Sequence, residues 1–159
     1  SYYDYVRKHV FEPAGMSATD SDPLDSLAPS TAIGYTRGGP GSTDTGAPRR
    51  NSELLPGRGS AAGGGYSTAA DLLRFVTAAG EGSIEGAPRG GFGVAGGAPG
   101  VNAVVEADPD GGYRLIVLAN QDPPVAERIA RRFRELVGEG EGRGPRVIRE
   151  RSPQVPAGS

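Results

Sequence analysis

An α+β fold is predicted by three observations: a β-hairpin spelled out over residues 101–119, an amphipathic helix directly after it, and helix and loop signals over residues 1–80. The hairpin is the best-defined unit. Residues 101–106 (VNAVVE) form a β-branched run, 108–112 (DPDGG) supply turn chemistry, and 113–119 (YRLIVLA) form a second, nearly continuous apolar run. Just ahead lie Gly96, Gly97, Ala98, Pro99 and Gly100, whose missing or small side chains let another backbone or a ligand approach closely. A binding site is expected there. One more strand is expected over 91–95, so the architecture is an antiparallel hairpin packed on one face by the helix over 123–137.

In chain order, Tyr3, Val6 and Val10 keep helical spacing on one face behind Ser1, an N-cap residue type. Glu12-Pro13 should end that helix, because proline disfavours helical geometry in the residue before it. Residues 17–31 read as loop, with Leu24 and Leu27 as apolar anchors, 32–36 as a short strand, and 37–59 as surface loop. A second helix carries Leu72, Leu73, Phe75 and Val76 and stops near Gly80. Its start is marked by Thr68 and Asp71 in capping-box spacing, and Asp71 also suits the positive end of the helix dipole. After the hairpin, Asp122 is placed to cap a third helix with Pro123 at its first position. Val125, Ile129, Phe133, Leu136 and Val137 form its apolar stripe, and Arg128, Arg131, Arg132 and Glu135 its wet side. Residues 138–159 have almost no apolar content and read as a disordered tail.

Composition narrows the function classes. With 27 glycines and 14 prolines, about a quarter of the 159 residues, the chain has room for a thin core only. Burial of Val104, Leu115, Val117, Ile129 and Phe133 is balanced by the conformational entropy of so loop-rich a chain, and marginal stability follows. A net charge of −2 offers no attraction for nucleic acid. The absence of cysteine excludes disulfides, thiol nucleophiles and thiolate metal sites. No apolar run approaches the roughly 20 residues of a membrane helix, and no signal-peptide pattern is present.

A search for catalytic chemistry finds little. His9, the one histidine, has no identifiable Ser or Asp partner and reads as structural or solvent-facing. There is no G-x-S-x-G elbow. There is no S-x-x-K either, since Tyr5 stands three residues before Lys8, the one lysine. Gly91, Gly93 and Gly96 match G-x-G-x-x-G but precede a strand instead of opening a helix, so no dinucleotide is expected. Asp108 and Asp110 are explained by the hairpin turn rather than by calcium. Of the carboxylates Asp122 and Glu127, capping accounts for the first and solvation for the second. No metal or cofactor is implied.

The order of these pieces resembles the C-terminal half of the β-lactamase-related serine hydrolases, which include penicillin-binding-protein-like D-Ala-D-Ala carboxypeptidases, class C β-lactamases and certain esterases. The similar segments are SYYDYVRKHVFEPAGM, AIGYT, LPGRGSAAGGGYSTAADLLRF, GGAPGVNAVVEADPDGGYRLIVLAN and PPVAERIARRFRELV, which cover most of residues 1–137. The resemblance implies a partial β-lactamase/transpeptidase-like fold over 1–137, with part of the family's helical subdomain over 1–80. In such enzymes a Ser of S-x-x-K attacks an acyl carbon and a Tyr of Y-x-N helps manage its proton. Neither motif is in this chain, and the resemblance implies that both lie upstream of Ser1, so that the chain is a fragment inactive alone. The third motif of relatives, His-x-Gly-Gly or Lys-Thr-Gly, meets Val94 and Ala95 ahead of Gly96-Gly97 here. Two alignments account for this: substitution of the polar residue, or deletion of a turn that fuses 91–94 to Ala95-Gly96. By the first, the backbone amide of Gly97 is the second oxyanion-hole donor, and Gly96, Gly97 and Ala98 contact substrate. The implied partner is a small acyl or peptide-like substrate once the N-terminal half is supplied. The alternative is a non-catalytic ligand-binding or half-domain module. An uncovered sheet edge would promote self-association.

Overall fold

The computed structural model describes residues 1–26, 28–38 and 42–138. The expected anchor Leu27, the side chain of Leu24 and the tail from residue 139 onward lie outside these.

The chain opens on a helix that changes pitch twice, α-helical over Tyr2–Val6 (α1), π-helical over Arg7–Phe11 and α-helical again over Glu12–Ala14 (α2). Ser1 caps it reciprocally: its hydroxyl accepts from the Asp4 amide at 3.3 Å, and the Asp4 carboxylate accepts from the Ser1 nitrogen at 3.0 Å. Pro13 lies inside the helix rather than ending it, which corrects the expected stop. The π turn has already displaced the hydrogen-bond ladder by one residue, with Glu12 N–H donating to Arg7 C=O, so Pro13 falls where the regular i to i−4 pattern is interrupted anyway. The true end is Gly15 at φ 68°. There Met16 N–H donates to Phe11 C=O at 2.8 Å and Gly15 N–H to Glu12 C=O at 3.0 Å, a Schellman ending.

The expected strand over 32–36 is only Tyr35–Thr36 (β1), which pairs antiparallel with Arg49–Arg50 (β2) inside the predicted loop. Helix α3, Ala69–Glu81, ends on Gly82 at φ 77°. Thr68 caps its start, accepting from Asp71 N–H at 3.1 Å. The other half of the capping box is missing. The Asp71 side chain, 1% exposed, instead accepts from Ala18 N–H at 2.7 Å, from the Thr19 hydroxyl at 2.8 Å and from Arg74 at 2.6 Å. It thereby ties α3 to the loop after α2. Packing follows the same route, with Ala14, Met16, Ala78, Ala79 and Ile84 forming one cluster.

Three antiparallel strands in the order β3-β4-β5 make the main sheet: Phe92–Ala98, Val101–Asp108 and Tyr113–Ala119. The predicted hairpin is β4-β5, closed by a turn in which the Asp108 carboxylate accepts from Gly111 N–H at 2.8 Å. The strand expected over 91–95 runs on to Ala98, so Gly96 and Gly97 belong to it, and Pro99-Gly100 is a second tight turn with Gly100 at φ 77°.

Strand alternation divides the sheet residues between two helices. On one face Val104 and Val117, with Leu115, meet Ala126 and Ala130 of helix α4, Val125–Leu136. On the other, Phe92 and Ala107, with Val105 and Ile116, meet Val76 and Phe75 of α3. The expected stripe of α4 is rotated: Ala126 and Ala130 face the sheet, while Ile129 is 49% exposed. Small residues one turn apart let the helix axis come close, and the larger Ile129 is displaced to the flank. Phe133 is half-buried, edge-on to Tyr113 at 5.2 Å.

Asp122 does not cap α4. Its carboxylate accepts from Arg37 N–H at 2.8 Å and from Gly100 N–H at 2.7 Å. The cap comes from a strand: Asn102 Oδ1 accepts from Ala126 N–H at 2.7 Å. Apolar burial is split among three small clusters, so a thermal melt is expected to show a midpoint at or below the mesophile range of about 45–65 °C. A sharp transition well above that range would sink the expectation.

Candidate functional site

The site expected around Gly96, Gly97 and Ala98 lies on β3, which is an edge of the sheet. The Pro99-Gly100 turn closes on the pair Ala98 and Val101. A two-residue loop closes on a hydrogen-bonded pair, and such pairs alternate along an antiparallel ladder. Gly97 opposite Asn102, Ala95 opposite Val104 and Gly93 opposite Glu106 are therefore the non-bonded pairs. Their N–H and C=O groups point outward, along the edge that no described strand covers.

The two glycines differ in what surrounds them. A Cβ on Gly97 would stand 2.4 Å from Pro123 Cγ, 3.1 Å from Val101 O and 3.2 Å from Asn102 Nδ2, so that face admits no side chain. A Cβ on Gly96 would have no atom of the described residues within 4 Å beyond its chain neighbours. Val94, on the same face as Gly96, is exposed, so the α3 side of this edge is open and apolar.

Rigid mounting holds the strand end in place. Asn51, buried beneath the turn, donates from Nδ2 to Pro99 C=O at 2.9 Å and from its backbone to Gly34 C=O at 3.0 Å. Asp122 grips the Gly100 amide from the other side. Asn102, 3% exposed, donates from Nδ2 to Gly96 C=O at 2.9 Å and to Glu127 Oε1 at 3.2 Å. Glu127 is thus not simply solvated, as its sequence position suggests; its Oε2 is buried with no hydrogen-bond partner among the described residues. Along the same face Glu106 pairs with Arg134 and lies 3.5 Å from the Tyr113 hydroxyl.

The other sequence candidates are elsewhere. His9 is exposed and stacks on Tyr5, with ring centroids 4.3 Å apart. Gly91, Gly93 and Gly96 run into and along a strand, with no helix N-terminus behind them. Tyr66 donates to Asp22 at 2.6 Å, and this bond, with burial and the Asp22 charge, pushes its phenol up to about 12. A phenol held so firmly protonated is no general base. A shallow groove of about 500 Å³ between α2 and α3, lined by Pro13, Leu73 and Thr77, is built from neither the β3 edge nor the turn residues. Among the described residues no group of three or more His, Cys, Asp or Glu could hold a metal ion, and no helix is long and apolar enough to cross a membrane.

Sequence reasoning missed Asn51 and Asn102. For Asn102 a signal exists: a lone amide in a β-branched run, at an inward strand position, must find hydrogen-bond partners.

The Beta-lactamase family model matches residues 1–89, more than half of the chain. The chain belongs to the beta-lactamase family. Its fold matches the crystal structure of penicillin binding protein from Bacillus halodurans, with a TM-score of 0.72 at 24% identity over 84% of this chain. The chain spans 49% of that structure's length. No curated protein matches it. Residues 1–89 hold helices α1 to α3 together with β1 and β2; β3 and the Gly96-Gly97 edge lie beyond the family match. Serine-hydrolase membership and the mixed helix and sheet fold are thereby established.

Proposed function

We propose that this chain supplies the sheet side of an acyl-serine hydrolase cleft, with the Gly97 amide as oxyanion donor and Gly96, Gly97 and Ala98 contacting substrate. One observation carries the reading: the Gly97 N–H lies on the edge of β3 that no described strand covers, in a strand end clamped by Asn51, Asn102 and Asp122. A preorganised amide of this kind stabilises the negative charge that develops on a carbonyl oxygen under attack, and it needs no side chain. The attacking hydroxyl and its base come from a segment carrying S-x-x-K and Y-x-N, because neither motif occurs in these 159 residues. The carbonyl carbon is attacked, the amine or alcohol leaves, and water then releases the acid from the acyl-serine.

The test is turnover of a chromogenic cephalosporin and of a p-nitrophenyl ester. The chain alone should give none above buffer, and adding or fusing an S-x-x-K segment from a relative should restore it. Hydrolysis by the chain alone would overturn the external nucleophile, and failure of restoration with every segment tried would sink the cleft reading. A second reading, a non-catalytic ligand-binding or half-domain module, draws on the two sheet edges, β3 and β5, that no described strand covers. Saturable ligand binding without turnover in the completed protein would select it. The same open edges favour self-association at high concentration.

A further inference from the structure

The Gly96 carbonyl and the Gly97 N–H belong to one planar peptide unit and point in opposite directions. Whatever holds the carbonyl therefore aims the amide. Glycine on both sides makes this peptide the easiest in the strand to rotate, since neither residue has a Cβ to restrict φ and ψ. Gly96 and Ala103 are a bonded pair of the β3-β4 ladder, so the carbonyl already faces the Ala103 N–H, and Asn102 Nδ2 adds a side-chain donor to it at 2.9 Å. The Asn102 side chain cannot turn over without loss, because its Oδ1 is committed to Ala126 N–H at 2.7 Å and its Nδ2 also donates to Glu127 Oε1 at 3.2 Å.

We infer that Asn102, oriented by Glu127 and by the first turn of α4, is a positioning residue that completes the hold begun by the Ala103 ladder bond and locks the Gly96-Gly97 peptide plane with its N–H outward. This deepens the proposed function, resting on the reading of Gly97 as the oxyanion donor, and it adds two residues that act through that peptide without touching substrate.

Asn102→Asp separates locking from capping. The carboxylate still accepts from Ala126 N–H but cannot donate to Gly96 C=O, and the accompanying Glu127→Gln supplies a donor in place of the charge that would repel it. In ¹⁵N relaxation dispersion on the intact chain, N102D and N102D/E127Q should show microsecond-to-millisecond exchange at Gly96, Gly97 and Ala98, while Ala126 keeps its protection. A flat profile at Gly97 in a folded variant overturns the lock. Should neither Asp variant fold, E127A decides the matter, since position 127 is only half-buried: exchange at Gly97 supports the lock and its absence overturns it. In the enzyme completed with an S-x-x-K segment, N102D/E127Q should lower kcat roughly tenfold with KM unchanged. Exchange at Gly97 with unchanged kcat would leave the lock standing and remove the donor reading.

Discussion

Asp71→Ala is expected to destabilise the folded chain by about 3 kcal/mol and to lower its melting temperature by roughly 10 °C. Three donors converge on this one carboxylate: the Ala18 amide, the Thr19 hydroxyl and Arg74. Arg74 is half in solvent and would find water, but the Ala18 amide and Thr19 hydroxyl would lose their partner beneath α3. The pH dependence follows from the same contacts. Burial pushes the Asp71 carboxyl up, yet the hydrogen bonds from Thr19, Ala18 and Arg74, with the Arg74 charge, more than offset this and hold it below its ordinary value. A carboxyl lowered by folding contributes stability above its unfolded pKa and loses that contribution as pH falls through the folded value. The gap between parent and variant should therefore be constant near neutrality and shrink in the acid range below about pH 4. Thermal melts across pH measure it, and a variant within about 0.5 kcal/mol of the parent at pH 7 would show that the contacts carry no stability.

Gly97→Ala should cost about 1–3 kcal/mol, the range for overpacking. Gly96→Ala, one residue away, should be tolerated within about 0.5 kcal/mol. The difference is steric: a methyl at 97 meets the Pro123 ring at 2.4 Å, and one at 96 meets nothing within 4 Å. Pro123 cannot swing aside as a long flexible side chain would, so the strand must shift outward and carry the Gly97 amide with it. Denaturant melts of the two variants test this, and the reverse order of stabilities would disprove the packing assigned to β3.

Much of the fold was legible in the sequence because it is written locally. The β4-β5 hairpin is two apolar runs around a DPDGG turn, and α3 and α4 each show a helical period. What sequence reasoning misplaced depends on residues far apart in the chain. Asp71 and Asp122 both sit where a cap is expected, and local spacing cannot reveal that each is taken by a distant backbone, Ala18 for one and Arg37 and Gly100 for the other. The rotation of α4 has the same origin, since an alanine pair outcompetes a larger stripe only when a sheet presses on it. At the site, the glycine-rich stretch announced an open backbone, and its place in a strand, with an outward amide, required the register of β3 on β4.

The clamps on the Pro99-Gly100 turn have a consequence in time as well as in space. They join Gly34, Arg37, Asn51, Gly100 and Asp122 at one point, across separations of up to 85 residues. Contacts that close long loops form late, because entropy must be lost before they reward it, whereas the two hairpins of the sheet close locally. The sheet is therefore expected to form before the Pro99-Gly100 turn is fastened. Fastening of the strand end at Gly97 is therefore expected to be a late step of folding, and an early loss when the long loops work loose.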